Sequence, residues 1–103
     1  MSIETRFKDD DATLIIAIRG RFDFSMLGEF RQAYSEAAQP PGQVVVDMRN
    51  ADTIDSSALG MLLNMQRYLK KADREIRIIN CNEDISNIFN ITRFDRKFTI
   101  SQA

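Results

Sequence analysis

The residues best placed to do chemistry are Asp52-Thr53-Ile54-Asp55-Ser56-Ser57-Ala58-Leu59-Gly60. They join an apolar run, Val44-Val45-Val46-Asp47-Met48, to a stretch whose apolar residues recur at helical spacing. At a helix start the first backbone N–H groups lack partners within the helix, and the macrodipole places partial positive charge there. An anion is favoured at such a point. In one reading, Asp55 or Ser56 simply caps the helix by accepting a hydrogen bond from a backbone N–H. In the other, Ser56 or Ser57 accepts a phosphoryl group and becomes a switch. The two roles are compatible.

The surrounding chain supplies elements to position this junction. Ile3, Thr5 and Phe7 alternate with Glu4, Arg6 and Lys8, predicting a half-buried edge strand. Asp9-Asp10-Asp11 is a polar turn, and the Ile-rich residues 13–19 predict a second strand that closes a hairpin on the first. Gly20 to Ser25 reads as a connection, with Asp23 starting a turn and Phe22 and Phe24 packing inward. Ser25 is a candidate cap for a helix over roughly 26–38, carrying Met26, Leu27, Phe30, Ala33, Tyr34 and Ala37 on one face and stopped by Pro40-Pro41-Gly42. Val44–Met48 suits a central strand buried on both faces, followed by a polar loop from Arg49 to Asp55. Ala58, Leu59, Met61, Leu62, Met65, Tyr68 and Leu69 predict a helix from about 57 to 72. Glu75–Asn80 is a further strand. Asn82 can cap a short helix bearing Ile85, Ile88, Phe89 and Ile91, and Phe98-Thr99-Ile100 is a last short strand. Strands that alternate with helices imply an α/β fold with parallel neighbours.

Composition removes several function classes. With 103 residues, 44% hydrophobic and 28% charged, the chain suits one small globular domain spanning 1–103. It contains no His, so neither a Ser-His-Asp mechanism nor a His-ligated metal site can form within it. A nucleophilic Ser56 would need a Lys or carboxylate base, and the nearest Lys in sequence is Lys70, so no enzyme is expected. Gly20, Gly28, Gly42 and Gly60 form neither a phosphate-cradling loop nor a dinucleotide fingerprint, and no cofactor is expected. The single Cys81 permits no intrachain disulfide and reads as a small buried hydrophobe. The net charge is −1, with six cations against nine acids in residues 1–52 and eight against six in residues 53–103. Nucleic acid is therefore a poor partner. No signal peptide or membrane-spanning run is visible, so a cytoplasmic protein without direct membrane insertion is expected. Lys70, Lys71 and Arg74 read as a solvated helix end, and Met61 and Met65 as core rather than as an adaptable docking surface.

Gly20-Arg21-Phe22-Asp23, then Asp55-Ser56-Ser57-Ala58-Leu59-Gly60, then Ile88-Phe89-Asn90-Ile91-Thr92-Arg93-Phe94 resemble the STAS family over roughly residues 3–100. The bacterial anti-sigma factor antagonists are the nearest pattern. The resemblance implies a small mixed sheet of about four to five strands, with helices mainly on one face. It also implies reversible phosphorylation of Ser56, with Ser57 the alternative acceptor. The implied partners are a serine kinase of the histidine-kinase-like ATPase type, often itself the anti-sigma factor, and a metal-dependent serine phosphatase. Asp23 matches an acidic residue near the family's phosphorylation site. This chain has Ala58 where the family commonly has Gly; Ala favours a helix by about 1 kcal/mol over Gly, so the switch is expected to survive. It stops at Ala103, without the extra C-terminal helix of some relatives.

Independently of the family, a phosphoserine adds about −1.5 to −2 charges and three acceptor oxygens. Asp23, Asp52 and Asp55 are candidate acidic neighbours; with Ser56, Ser57 and Leu59 they make up the candidate partner surface. A second reading of another class is a non-switching adaptor subunit of a larger assembly such as a lipid transporter.

Overall fold

Alternation in the first strand and continuous apolar runs in the second and third distinguish an edge of the sheet from its centre. The computed structural model describes residues 3–8, 12–35, 42–70 and 75–102. Strand β1 (Ile3–Lys8) pairs antiparallel with β2 (Thr13–Phe22), as the hairpin reading requires. A 3-10 turn (Phe24–Met26) leads into α1 (Leu27–Ser35). Strand β3 (Gln43–Ile54) precedes α2 (Ser56–Lys70), and β4 (Glu75–Cys81) precedes α3 (Glu83–Ile91). A second 3-10 turn (Phe94–Arg96) reaches β5 (Thr99–Gln102). Sheet order follows chain order, β1-β2-β3-β4-β5, and β2 through β5 are parallel. When every step adds its strand on the same side, right-handed crossovers carry each helix to one face. The buried hydrophobic residues of all three helices accordingly join one cluster with Leu14, Ile16, Ile18, Val44, Val46, Ile76 and Ile78.

Two expected loops are strand. β2 runs on through Gly20 and Arg21 to Phe22, and β3 runs through the segment Arg49–Ile54. Between Ala17↔Asp47 and Phe22↔Ile54, β3 gains one residue on β2 at each of two register shifts. Such insertions break the two-residue alternation. Met48, Ala51 and Ile54 are buried at intervals of three, so the sequence there does not look like a strand. Gly20 lies beside the second shift with φ +79, a left-handed conformation that glycine adopts without penalty.

Other boundaries move modestly. α1 begins one residue later than predicted and α2 one earlier, while Ile91 ends α3 exposed rather than packed. In β1 only Ile3 is buried; Thr5 and Phe7 are exposed at the sheet's edge. The Asp9–Asp11 turn, Ala37, Pro40, Pro41, Lys71 and Arg74 lie outside the described residues.

Among the described residues, the other sheet face carries no helix. In register across it run Arg6, Ile15, Val45 and Arg77, with Ile15 and Val45 buried between the two long cationic side chains. Aliphatic stems of arginine can cover such positions while the charged heads stay in water. A cavity of about 590 Å³ lies on this face and includes none of the sequence-predicted site residues.

Candidate functional site at two adjacent helix starts

The parallel pairing of Phe22 with Ile54 means that β2 and β3 leave the sheet side by side. Each is followed by an aspartate that begins a helical segment. Asp23 Oδ1 accepts from the Ser25 N–H at 3.0 Å and from the Ser25 hydroxyl at 2.6 Å. Asp55 Oδ1 accepts from the Ala58 N–H at 3.0 Å and from the Ser57 hydroxyl at 2.6 Å. The two turns are near copies: an aspartate, an outward residue, then a serine that bonds back. Asp23, not Ser25, is therefore the cap of the first segment. A carboxylate placed there satisfies orphan N–H groups and meets the positive end of the dipole.

These bonds separate the two candidate serines. Ser57 is half-buried and its hydroxyl is donated to Asp55. Ser56 is the first residue of α2, is exposed, and its hydroxyl has no hydrogen-bond partner among the described residues. The Ser57 hydroxyl, followed by the Ala58 N–H, holds the Asp55 carboxyl below its ordinary value. Asp55 is thus an anion whose charge is locally accommodated.

The remaining predicted residues flank this pair. Asp23 is half-buried, and Asp52 is exposed near the end of β3. Leu59 is half-buried and packs against the core. Ala58 is fully buried, so the methyl group that replaces the family's usual glycine hydrogen sits among core side chains. Met61 and Met65 are core residues. Cys81 is buried, and burial pushes its thiol up to about 11, which suits an inert packing residue.

Two features escaped the sequence reading. Asn82 caps α3 through its side-chain oxygen, accepting from the Ile85 N–H at 2.8 Å. Its amide nitrogen also donates to the carbonyls of Ala51 and Asp52, at 3.3 and 3.2 Å, tying α3 to the end of β3 beside the site. The cap was legible, but the long-range half of the contact has no local signal. Phe24, expected to pack inward with Phe22, is instead 66% exposed. Residues two apart share a face only while a strand continues, and the turn at Asp23 ends that relationship.

With this geometry in view, the comparisons with known proteins are specific. The STAS domain family matches residues 2–103. A STAS-domain containing protein of Pseudomonas aeruginosa (strain UCBPP-PA14) is 41% identical over 101 residues, covering 98% of this chain and 100% of that one. The chain belongs to the STAS family. Solved structures share the fold at lower identity. The anti-sigma factor antagonist SpoIIAA in its unphosphorylated form is similar with a TM-score of 0.76 and 16% identity, over 98% of this chain and 88% of that one. SpoIIAA of Bacillus has also been solved in a phosphorylated form. An anti-sigma factor antagonist from Mycobacterium paratuberculosis gives 0.77 and 17%, over 99% and 87%. A sulfate transporter family protein from Wolinella succinogenes gives 0.80 and 15%, over 91% and 84%. At these identities the likeness shows a common fold. The mixed five-stranded sheet with three helices is the STAS fold, as the sequence resemblance implied. No helix of this STAS domain, among the described residues, is long and apolar enough to cross a membrane.

Proposed function

We propose that this STAS domain is a phosphorylation-controlled regulatory protein of the anti-sigma factor antagonist type. It binds a cognate serine kinase, or a kinase that is itself the anti-sigma factor, while Ser56 is unmodified, and releases it after phosphorylation. The observation that carries this reading is the exposed, unengaged hydroxyl of Ser56 at the first turn of α2, beside a Ser57 whose hydroxyl is held by Asp55. The existence of SpoIIAA in unphosphorylated and phosphorylated forms on the same fold supports it. In this role the chain is a substrate and a binding module, not an enzyme.

In the forward step Ser56 Oγ attacks the γ-phosphorus of ATP held by the kinase. The new O–P bond forms as the bond to ADP breaks, and the hydroxyl proton passes to a base on the kinase. A metal-dependent serine phosphatase reverses the modification by transferring the phosphoryl group to water. The added charge of about −1.5 to −2 arrives among Asp23, Asp52 and Asp55, where a docked partner would have to desolvate it. A penalty of about 3 kcal/mol lowers affinity by roughly two orders of magnitude, enough to release a partner bound at micromolar strength. The helix start can accommodate phosphate locally, so the fold need not change.

The test is intact-mass spectrometry of the protein from its native cells together with partner binding by calorimetry. We expect a species about 80 Da heavier, lost in Ser56→Ala. Ser56→Ala retains the partner and Ser56→Asp binds it at least tenfold more weakly. Wild-type affinity in both variants would sink the proposal. The alternative is a non-switching adaptor subunit of a larger complex such as a lipid transporter. The likeness to a sulfate transporter family protein is the observation in its favour. Co-purification with a transporter ATPase, without any phosphorylated form, would support it.

A further inference from the structure

We infer that the cavity on the sheet face opposite the helices binds a small phosphate monoester with a hydroxylated body, of the sugar phosphate class. The site is separate from the Ser56 junction and does not depend on the switch reading above. Strand register lays out its floor. One row across β1 to β4 reads Arg6, Ile15, Val45, Arg77, and the next, two residues along, reads Glu4, Ala17, Asp47, Ile79. The ends of each row are three strand spacings apart, about 14 Å. Arginines thus stand on both sides of a two-strand apolar floor, and Lys8 on β1 and Arg49 on β3 join them in lining the cavity. All four cations are exposed, and among the described residues none forms an ion pair. Four cations against Glu4 and Asp47 leave the lining with an excess of two positive charges, on a chain whose net charge is −1. Like charges gathered in this way repel one another, and a bound anion relieves the repulsion.

The lining also selects among anions. Three of the four cations are arginines, whose planar forks match pairs of phosphate oxygens. A phosphate monoester carries about −1.5 to −2 charges near neutral pH, which balances the excess. Bare phosphate would leave most of the space unfilled: the cavity measures about 590 Å³, inside the roughly 300–1,000 Å³ of sites for small organic ligands. The polar side chains in the rest of the lining suit hydroxyl groups. Asn80 has a φ of 60, a left-handed conformation that asparagine adopts more readily than most residues. From there its amide nitrogen donates to Asp47 Oδ1 at 2.9 Å, and the Arg49 N–H donates to the same oxygen at 3.0 Å. Asp47 Oδ2 has no hydrogen-bond partner among the described residues and is free to accept from a ligand hydroxyl. Asn50 adds a second amide to the lining, able both to donate and to accept. Ala17 and Ile79 are half-buried and offer apolar surface to the carbon skeleton of the same ligand. An acidic peptide fits less well, because Glu4 and Asp47 in the second row would repel it.

The experiment titrates the purified full-length chain with glucose 6-phosphate and with glycerol 3-phosphate, by calorimetry and by amide NMR. At least one is expected to bind saturably at one site, shifting the amides of Ala17, Val45 and Ile79. Inorganic phosphate and glucose are each expected to bind at least tenfold more weakly than that ester. Arg6→Gln and Arg77→Gln each lower its affinity at least fivefold with the unfolding temperature unchanged, and Arg77→Lys, which keeps the charge but not the fork, falls between Arg77→Gln and wild type. Asp47→Asn narrows the preference for the ester over inorganic phosphate, a change that a merely structural role would not produce. Saturation by neither ester overturns the site. So does inorganic phosphate bound as tightly as the ester, or wild-type affinity in both glutamine variants. Shifts confined to residues 55–59 would place the anion at the start of α2 and overturn the cavity as its site. A hexa-aspartate peptide bound more tightly than either ester assigns this face to an acidic protein segment and overturns the small ligand.

Discussion

At the scale of single residues, one hydrogen bond divides two adjacent serines. Ser57 is tied to Asp55 at 2.6 Å, which leaves its neighbour as the hydroxyl that another protein can reach. The same bond is the first cause of the lowered Asp55 carboxyl, ahead of the Ala58 N–H. A carboxyl whose folded value lies below its unfolded value stabilises the fold fully above the ordinary carboxylate range. That contribution is lost as pH falls through the folded value. Ser57→Ala should therefore move the Asp55 midpoint upward toward its ordinary value, as read by carbon-detected NMR titration of the side-chain carboxyl. An unchanged midpoint would show that the hydroxyl does not hold the charge. Neither the bond nor its effect was visible in the sequence, which left Asp55 and Ser56 equally eligible as caps. Geometry chose Asp55, because the helix begins at Ser56 and only the preceding residue can reach the Ala58 N–H.

At the scale of elements, what matters is where β2 and β3 end. The apolar cores of both strands, residues 13–19 and Val44–Met48, were readable from composition alone. Their extensions to Phe22 and Ile54 were not, because the two register shifts move the buried positions off a period of two. Yet the extensions bring the twin turns together. Gly20 sits beside the second shift, with φ +79 and open space where a Cβ would go. Gly20→Ala should thus destabilise through the backbone alone, by about 1–2 kcal/mol. Urea unfolding measures this, and no loss of stability would mean that the segment relaxes to a different register. The helices were predicted more closely than the strand ends. Their apolar spacing is a local property, and Asn82 capped α3 as its sequence position suggested.

At the scale of the whole molecule, a near-zero net charge conceals two different faces. Asp23, Asp52 and Asp55 gather at one end, and Glu83 and Asp84 open the helix that Asn82 ties to the same end. Arg6, Lys8, Arg49 and Arg77 line the cavity on the opposite sheet face, where they outnumber Glu4 and Asp47. Between these surfaces the core is continuous up to the site. Phe22 is fully buried, with its ring 5.2 Å from that of Phe30, which in turn meets Tyr34 and then Tyr68. Phe22 also immediately precedes Asp23. Phe22→Ala is expected to cost about 3–5 kcal/mol, a large part of the roughly 5–15 kcal/mol that holds a small domain together. Chemical denaturation gives the loss directly. A loss below about 1 kcal/mol would show that the site end is packed independently of the core.

The amino-acid sequence alone determined the alternation of strands and helices, the family and the Asp-Ser-Ser junction. It also excluded every histidine-dependent chemistry. Each of these depends on residue identity or on spacing within one segment. The tertiary structure decided which serine stands free, that Asp23 and Asp55 build matching turns, and that Phe24 faces solvent while Phe22 does not. Those outcomes depend on how β2 registers against β3, and their paired residues lie some thirty positions apart in the chain. That register depends on which positions of both strands are buried together, and the two insertions in β3 break the alternation that would otherwise show it in the sequence.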